Sequence, residues 1–275
     1  MIPKRSGSWS RRSPPKSGKT SSSEGSQDMS SADRMSQIKP VYKRVILELS
    51  GEMFRGESTE GEVIDFPFLM ELSRKLIQIR DMGVQLGVVV GGGNIWRGVE
   101  HGELDRATSD QIGMLATLIN ALTLSGMIRK QGHSAFVFSA VNVNRVAETV
   151  SHLELIERMK RGEIVLFACG TGNPFFTTDT GAVLRALEVE ADAVLKGTKV
   201  DGLYSDDPFK NPNAVRYSEL SCDDALSLKA EVMDLTAFAL CRGKELEIVI
   251  FKLLPLENMI KIILGHPIGT RIRGK

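Results

Sequence analysis

The sequence has little cysteine and no long apolar stretch. Its three cysteines, Cys169, Cys222 and Cys241, are scattered along 275 residues and form no CxxC pair. This scarcity excludes a disulfide framework and a cysteine-based zinc site, and it fits a reducing compartment. We expect the three thiols to be buried as small hydrophobic groups. No run of 18 or more apolar residues occurs, so the sequence predicts no membrane-spanning helix.

A strong excess of one charge is also missing. The 35 Lys and Arg residues nearly balance the 34 Asp and Glu residues, which gives a net charge of +1. No global electrostatic field therefore favours binding to nucleic acid or to an anionic membrane. A content of 42% hydrophobic and 25% charged residues is ordinary for a globular protein, and the chain is long enough to bury a sizeable core.

The first 39 residues differ from the rest of the chain. They contain 12 serines and eight basic residues but only three acidic ones, with almost no aliphatic side chains. Because such a segment buries too little apolar surface to offset its ordering entropy, we expect residues 1–39 to be a disordered tail and residues 40–275 to be one domain. Three interpretations of the tail stay open: a dispensable extension, a translation start at Met35, and an organellar targeting segment.

From residue 41 onward, short apolar runs alternate with longer helical patterns. The predicted strands are residues 43–49, 84–90, 134–138, 163–168, 191–196 and 247–251, and residues 269–272 could close the sheet. The predicted helices are 65–82, capped by Asp65, 109–131, capped by Ser109, 144–160, 179–189, 233–244 and 256–263. Since the strands read as continuous apolar runs, we expect an α/β fold, a three-layer α/β/α sandwich around a mainly parallel central sheet.

Four of the predicted strands are followed directly by glycine-rich polar loops. The loops read SGE at 50–52, GGGN at 91–94, GTGNPFFTTD at 170–179 and GTKVDG at 197–202. Ligands of open α/β sheets bind at the carboxyl ends of the strands, and glycine lets backbone N–H groups approach an anion closely. One such loop could be a simple turn, but four at matching strand ends predict a site for more than one phosphate group. None has the GxGxxG or P-loop pattern.

Six segments together resemble the bacterial UMP kinases of the amino acid kinase superfamily. They are residues 42–52, 91–98, 109–116, 170–179, 191–202 and 232–237, and the resemblance extends over about residues 41–275. The string GTGNPFFTTD is specific to the UMP kinases, because relatives acting on acetylglutamate, aspartate or carbamate share the glycine loops and lack it. The resemblance implies the amino acid kinase fold and transfer of the γ-phosphoryl group of ATP to UMP, in pyrimidine nucleotide (UTP/CTP) biosynthesis.

The resemblance also implies a UMP site. Asp110 would accept hydrogen bonds from the ribose or the uracil, although it could instead be an acidic residue stabilised at a helix N-terminus. The other implied UMP-binding residues belong to two of the glycine loops and are Gly92, Thr171, Gly172, Asn173, Pro174, Phe175, Phe176, Thr177 and Thr178.

An ATP site is implied in the same way. Gly93 and Arg97 would contact phosphates, because a guanidinium offers a rigid fork of donors. Tyr204 could instead pack in the core, and Asp207, which precedes Pro208, could be a plain turn residue. The implied residues are Glu48, Leu49, Ser50 and Gly51 at the phosphates, together with Gly93 and Arg97, and Thr198, Tyr204 and Asp207 at the adenosine.

Arg97, Asp179 and Lys196 are the implied catalytic residues. Phosphoryl transfer depends on alignment of donor and acceptor and on positive charge around the transferring group. Lys196 or Lys199 would supply that charge. Asp179 would orient a lysine or a hydrated Mg²⁺, or would only cap its helix. Because the phosphate of UMP is an adequate nucleophile, we expect direct in-line transfer from ATP with Mg²⁺, without a general base or a phosphoenzyme. We assign no residue as a ligand of the metal ion.

The chain departs from the family at one phosphate-binding position. Family members typically read KLSGE after the first strand, whereas residues 48–52 read ELSGE, so Glu48 replaces a lysine. Two unit charges about 4 Å apart interact by about 4 kcal/mol at an effective dielectric constant near 20, so this change of sign matters. Three interpretations stay open. Lys43, Lys196 or Lys199 compensates; Mg²⁺ takes Glu48 as a ligand; or the chain is a weakened, nucleotide-binding regulatory protein.

The resemblance implies that the chain assembles into a homohexamer in the cytoplasm. It implies no nucleic-acid or membrane partner. The sequence adds one hint, since helix residues 112–127 carry more apolar surface than one core face needs. A storage or oxyanion-binding protein on the same scaffold is a further alternative, against which the intact GTGNPFFTTD string argues.

Overall fold

The computed structural model describes residues 39–56, 62–97, 103–206, 208, 210–228 and 232–274. The expected tail up to residue 38 and the candidate residue Asp207 lie outside these ranges. The strands within them are β1 (Arg44–Leu49), β2 (Gln85–Val90), β3 (Ala135–Ser139), β4 (Glu148–Thr149), β5 (Ile164–Ala168), β6 (Ala193–Thr198), β7 (Glu219–Ser221), β8 (Glu247–Lys252) and β9 (Thr270–Arg273).

These strands form one nine-stranded sheet in the described part of the chain, in the order β4-β3-β5-β2-β1-β6-β8-β9-β7. Each recorded pairing between neighbours is parallel except that of β8 with β9. The predicted mainly parallel sheet is therefore confirmed. The four strands that precede the glycine-rich loops, β5, β2, β1 and β6, lie side by side, so their four loops emerge at one edge of the sheet.

The helices begin at polar caps that the sequence supplies. They are α1 (Phe66–Asp81), α2 (Arg106–Lys130), α3 (His152–Lys160), α4 (Thr178–Glu188), α5 (Cys222–Ser227), α6 (Leu235–Cys241) and α7 (Glu257–Ile263). The side chain of Asp65 accepts a hydrogen bond from Phe68 N at 2.9 Å, which confirms its predicted role as the N-cap of α1. A short 3₁₀ helix, Gly51–Arg55, follows β1.

Helices cover both faces of the sheet, as the three-layer prediction requires. Leu72 of α1, Leu124 of α2 and Ile262 of α7 are fully buried in the core on one face. Met159 of α3, Val183 of α4 and Phe238 of α6 are fully buried in the core on the other. Strand β1 alternates between these cores, with Leu47 in the first and Ile46 in the second.

Two sequence predictions of helices are wrong in their bounds. Helix α2 begins three residues before Ser109, because Asp105 caps it by accepting a hydrogen bond from Thr108 N at 3.0 Å. Ser109 is buried inside the helix and accepts a hydrogen bond from Trp96 Nε1 at 3.1 Å. Residues 144–160 do not form one helix, since they divide into the short edge strand β4 and helix α3.

Helix α2 is long and apolar enough, by length and composition, to cross a membrane. However, half of its most apolar window is buried inside the domain, and the helix packs on α1, β3 and β5. Buried polar side chains, among them Asn120 and Ser125, point from α2 into the domain. The helix is therefore built as a core element of this α/β domain.

Candidate active site

The loops after β1 and β2 touch each other through their backbones. A Cβ atom at Gly51 would lie 2.4 Å from Gly93 N, and one at Gly91 would lie 2.6 Å from Gly51 N. Gly91 N also donates a hydrogen bond to Leu49 O at 2.8 Å. The glycines are thus required for close approach of the two loops, which brings the backbone N–H groups of Gly51 and Gly93 to the same part of the sheet edge.

A buried pair of asparagines fixes the second loop, although the sequence interpretation assigned neither of them a role. Asn120 Nδ2 donates to Gly91 O and to Asn94 Oδ1, each at 2.7 Å, and Asn94 Nδ2 donates back to Asn120 Oδ1 at 3.1 Å. Buried amides of this kind stabilise a loop because leaving one unpaired costs about 1–3 kcal/mol. The signal available in the sequence was Asn120 itself, an amide side chain in the middle of an otherwise apolar helix. The sequence does not show that this side chain bonds the glycine loop.

The GTGNPFFTTD loop encloses a cavity of about 220 Å³ against the start of α2. Gly170, Gly172 and Phe175 have φ values of 55°, 81° and 70°, so the loop turns sharply at these positions. Asp110 holds it, since Phe175 N donates to Asp110 Oδ2 at 2.8 Å. The candidate UMP residues that line this cavity are Gly92, Asp110, Thr171, Asn173, Phe176, Thr177 and Thr178, together with Gly93 and Thr117.

Three further candidates for UMP binding lie on the same loop outside the cavity lining. Gly172 approaches Ala140, so that a Cβ there would lie 2.8 Å from Ala140 O. Pro174 is half-buried, and Phe175 is 69% exposed. An exposed aromatic side chain at the mouth of a cavity is available to contact a ligand, and Phe176, which is 49% exposed, shares this property.

A second cavity of about 850 Å³ lies on the other side of the β2 loop. Gly93 lines both cavities, which therefore meet at the glycine turn. Arg97 and Lys199 line the larger cavity, and Glu52 forms an ion pair with each of them, with Lys199 Nζ 2.8 Å from Glu52 Oε2. The structure thus brings two cations from different loops to one point where phosphate oxygens could replace the carboxylate of Glu52.

The candidate adenosine residues that the structure describes are Thr198, which ends β6, and Tyr204 in the loop that follows, and neither lines the two cavities. Thr198 Oγ1 donates to Val200 O at 2.6 Å and accepts from Val200 N at 3.1 Å, so this side chain holds the turn. Tyr204 is half-buried and donates a hydrogen bond to Asp201 Oδ1 at 2.6 Å. Its hydroxyl is thus in a polar setting, which differs from the alternative of plain core packing. Ser50 is exposed directly after the buried Leu49 at the end of β1.

Glu48, Lys196 and Asp179 form a buried charged cluster at the centre of this edge. Glu48 lies opposite Lys196 in the register of β1 and β6. Because side chains alternate along a strand, both point to the face that α4 covers, where Asp179 stands in the first helical turn. Lys196 Nζ donates to Glu48 Oε1 at 3.0 Å and to Asp179 Oδ1. One ammonium group is therefore shared by two carboxyl groups.

Burial and charge shift the pKa values in this cluster in different directions. Burial raises the pKa of Glu48 well above its ordinary value, and the neighbouring Asp179 carboxylate adds to that rise. Burial alone would raise the pKa of Asp179, but the adjoining carboxyl group of Glu48 and the charge of Lys196 lower it. Burial alone would lower the pKa of Lys196, but the charges of Glu48 and Asp179 raise it. Lys196 is therefore charged, and Glu48 is the more readily protonated carboxyl group.

Asp234 joins this cluster to the GTGNPFFTTD loop, a link that the sequence interpretation missed. Its backbone N–H donates to Asp179 Oδ2 at 2.9 Å, and its carboxylate accepts from Thr180 Oγ1 at 2.8 Å and from Thr177 Oγ1. The same carboxylate caps α6 by accepting from Ala237 N at 2.7 Å. An aspartate before an apolar run was the visible signal, and it indicated only a helix cap.

Comparisons with known proteins agree with this arrangement. The model of the amino acid kinase family matches residues 43–252. The uridylate kinase of Bacteroides thetaiotaomicron is 47% identical over 231 residues, which cover 83% of this chain and 97% of that protein. The structure resembles the crystal structure of UMP kinase from Bacillus anthracis, with a TM-score of 0.80, 34% identity, and coverage of 85% of this chain and 97% of that one. It also resembles UMP kinase from Ureaplasma parvum, with a TM-score of 0.78, 31% identity, and coverage of 84% of this chain and 98% of that one.

The sequence match and the fold match point to the same group of proteins, and both extend over nearly the whole length of the relatives. The chain therefore belongs to the amino acid kinase family, among its uridylate (UMP) kinases.

Proposed function

We propose that this chain transfers the γ-phosphoryl group of ATP to UMP and thereby forms UDP and ADP. The observation that carries the proposal is the pair of cavities that meet at Gly93. One is enclosed by the GTGNPFFTTD loop, and the other is lined by Arg97 and Lys199. An acceptor nucleotide in the first cavity, with the phosphates of a donor nucleotide beside Arg97 and Lys199, would bring the two sets of phosphates together at the glycine turn, at the same edge of the sheet as Lys196.

The acceptor cavity fits a nucleoside monophosphate. Its walls combine backbone groups of Gly92 and Thr171 with the hydroxyl groups of Thr177 and Thr178, which suit phosphate and ribose oxygens. Asp110 is already used to fix the loop through Phe175 N, so we assign it first to positioning and second to accepting a hydrogen bond from the nucleoside. Gly172, Asn173, Pro174, Phe175 and Phe176 complete the proposed UMP site.

On the donor side, Ser50, Gly51 and Gly93 are proposed to contact the ATP phosphates, because the close approach of their loops brings backbone N–H groups together there. Arg97 supplies a guanidinium fork. Thr198, Tyr204 and Asp207 are assigned to the adenosine end, with Glu48 and Leu49 below the phosphates at the end of β1.

The chemistry proposed for these residues is alignment and charge neutralisation. The phosphate of UMP attacks the γ-phosphorus of ATP in line with the leaving ADP, so one phosphorus–oxygen bond forms while another breaks. Lys196 and Arg97 neutralise charge on the transferring group. Bound Mg²⁺ would supply further neutralisation of the negative charge on the ATP phosphates. The residues present fit such a cation, because Glu48 and Asp179 would supply hard carboxylate oxygens, and Glu48 Oε2 is buried without a partner in the described part of the chain.

Transfer from ATP labelled on its γ-phosphate tests this route. We expect the label to appear in UDP when UMP is present, with much slower labelling of a diphosphate when CMP replaces UMP. No label should remain on the protein incubated with labelled ATP alone, because the transfer is direct. A stably labelled protein would contradict the in-line route, and equal use of CMP would contradict the assignment of UMP as acceptor.

The assembly and setting are proposed with the function. We infer a homohexamer in the cytoplasm that serves pyrimidine nucleotide synthesis. Leu115 and Ile119 support self-association, because each is 48% exposed and they lie one turn apart on the same face of α2. Light scattering should give the mass of six chains, and a mass equal to one chain would contradict the inference.

A further inference from the structure

One carboxylate oxygen in the charged cluster has no hydrogen-bond partner. Glu48 is only 3% exposed, and its Oε2 atom is buried and unpaired within the described part of the chain. Its other oxygen, Oε1, is held by Lys196. An unsatisfied buried polar atom in a native protein is costly and calls for a partner such as an ion or a water molecule.

The charges around Glu48 do not balance. Lys196 is shared between Glu48 and Asp179, so the buried cluster has two carboxyl groups for one ammonium group. The nearby cations do not fill the deficit, since Arg97 and Lys199 pair with Glu52. Asp234 adds a further carboxylate, which is occupied by two threonine hydroxyl groups and the N-terminus of α6. When both carboxyl groups are ionised, as binding of a metal ion requires, the cluster therefore lacks one positive charge.

We propose that Glu48 and Asp179 form a binding site for a divalent cation, with Mg²⁺ as its physiological occupant. Their carboxyl groups bind the same ammonium nitrogen, so their oxygens lie close enough to share a metal ion. Mg²⁺ prefers hard oxygen ligands and is commonly held by one or two carboxylates together with waters and substrate phosphates. In this chain the ion would supply the positive charge that the resemblance to the UMP kinases implies at position 48, where Glu48 stands.

This site gives Lys196 a second position. A metal ion and the Lys196 ammonium group compete for the same two carboxyl groups, so binding of the ion releases Lys196 toward the phosphates. Use of the site in catalysis rests on the proposed function, but binding of the ion does not. The competition makes an unusual prediction, because removal of Lys196 should strengthen metal binding while it weakens catalysis.

Titration of the nucleotide-free chain with Mn²⁺, followed by electron paramagnetic resonance, tests the proposal. We expect one Mn²⁺ per chain that Mg²⁺ displaces. Loss of a residue that only supports a metal ligand typically weakens metal affinity about 10- to 100-fold. Glu48→Gln removes a proposed ligand itself, so it should weaken Mn²⁺ affinity at least tenfold. Glu48→Lys should abolish binding. Lys196→Met should strengthen it about tenfold, because a competing charge is removed.

Glu247→Gln is the matched control. Glu247, like Glu48, is a glutamate on a strand whose side chain has little exposure. It is the first residue of β8, away from the glycine loops, and it forms an ion pair with Arg271. Its replacement should leave Mn²⁺ affinity within about twofold. The proposal is overturned if the unaltered chain binds no Mn²⁺, if Glu48→Gln binds it as well as Glu247→Gln does, or if Lys196→Met does not bind it more tightly. Failure of UDP formation with the expected Mn²⁺ pattern would contradict the proposed function and leave the metal site standing.

Discussion

Lys196→Met is expected to lower kcat for UDP formation by about 100- to 1,000-fold, which is the usual loss when one preorganised donor to a developing charge is removed. Lys196 is the buried cation of the cluster, and Glu48 and Asp179 keep it charged. Its ammonium group would neutralise the transferring phosphoryl group. The KM for UMP should change little, because Lys196 does not line the cavity enclosed by the GTGNPFFTTD loop.

Steady-state kinetics with varied UMP and saturating ATP separates these effects. Lys160→Met serves as the control, since Lys160 is 53% exposed at the end of α3 and pairs only with the neighbouring Glu157 in the described contacts. The control should retain the kcat of the unaltered chain. A kcat for Lys196→Met within threefold of the control would show that Lys196 has no role in the transfer.

Gly51→Ala is expected to reduce kcat/KM at least about 100-fold. The added Cβ would lie 2.4 Å from Gly93 N and 2.8 Å from Gly91 C, and both are backbone atoms that cannot rotate away. The loops after β1 and β2 would have to separate, and a misplacement of about 1 Å at a reacting group can cost about 100-fold in rate. Overpacking of this kind also destabilises the fold by about 1–3 kcal/mol.

Gly126→Ala is the matched control for this substitution. Gly126 lies inside α2, and a Cβ there would meet no atom within 4 Å. Since alanine favours a helix over glycine, the control should keep full activity and gain about 0.5–1 kcal/mol of stability. Urea unfolding and kinetics on both variants check the pair of predictions. A fully active Gly51→Ala would contradict the close approach of the two loops.

Much of the fold follows from local features of the sequence. Apolar runs of strand length predicted β1, β2, β5, β6 and β8 to within a few residues, because parallel strands covered on both faces need apolar side chains throughout. Asp65 predicted the start of α1 for the same local reason, since its side chain caps the helix within three residues. The glycine loops were visible as a repeated pattern after the strands.

The errors arise where a distant contact decides the local structure. Ser109 has the chemistry of a helix cap, but Asp105 takes that role and Ser109 is buried against Trp96. The segment 144–160 is polar and helix-compatible, yet residues Glu148–Thr149 pair with the end of β3 and break it. No local pattern reports a pairing with a strand ten residues earlier in the chain.

In the candidate site, too, local sequence features were predictable and contacts between distant elements were not. Sequence motifs selected the loops, but the strand order β5-β2-β1-β6 that places them side by side is a property of the whole sheet. The contact of Glu48 with Lys196 depends on the register of β1 and β6, which pairs two residues that are 148 positions apart in the chain. Asp234 and Asn120 act through hydrogen bonds to other elements, which no local pattern reports, so the sequence analysis assigned neither of them a role.

Glu48 is the residue on which the account depends most. The interpretation that a local cation compensates agrees with the structure in part, because Lys196 pairs with Glu48. The same ammonium group also serves Asp179, so this pairing alone does not restore the charge that a lysine would bring. A chain with this cluster can act as a kinase if a bound cation completes it, and it would bind nucleotides without turnover if nothing does.

The most direct test compares UDP formation from UMP and ATP with excess Mg²⁺ by the unaltered chain and by Glu48→Lys. We predict that the unaltered chain forms UDP at a rate within about tenfold of the variant, a difference below about 1.4 kcal/mol in the barrier. Activity in Glu48→Lys alone would contradict the account, because the chain would then be a nucleotide-binding protein whose site lacks the charge needed for transfer.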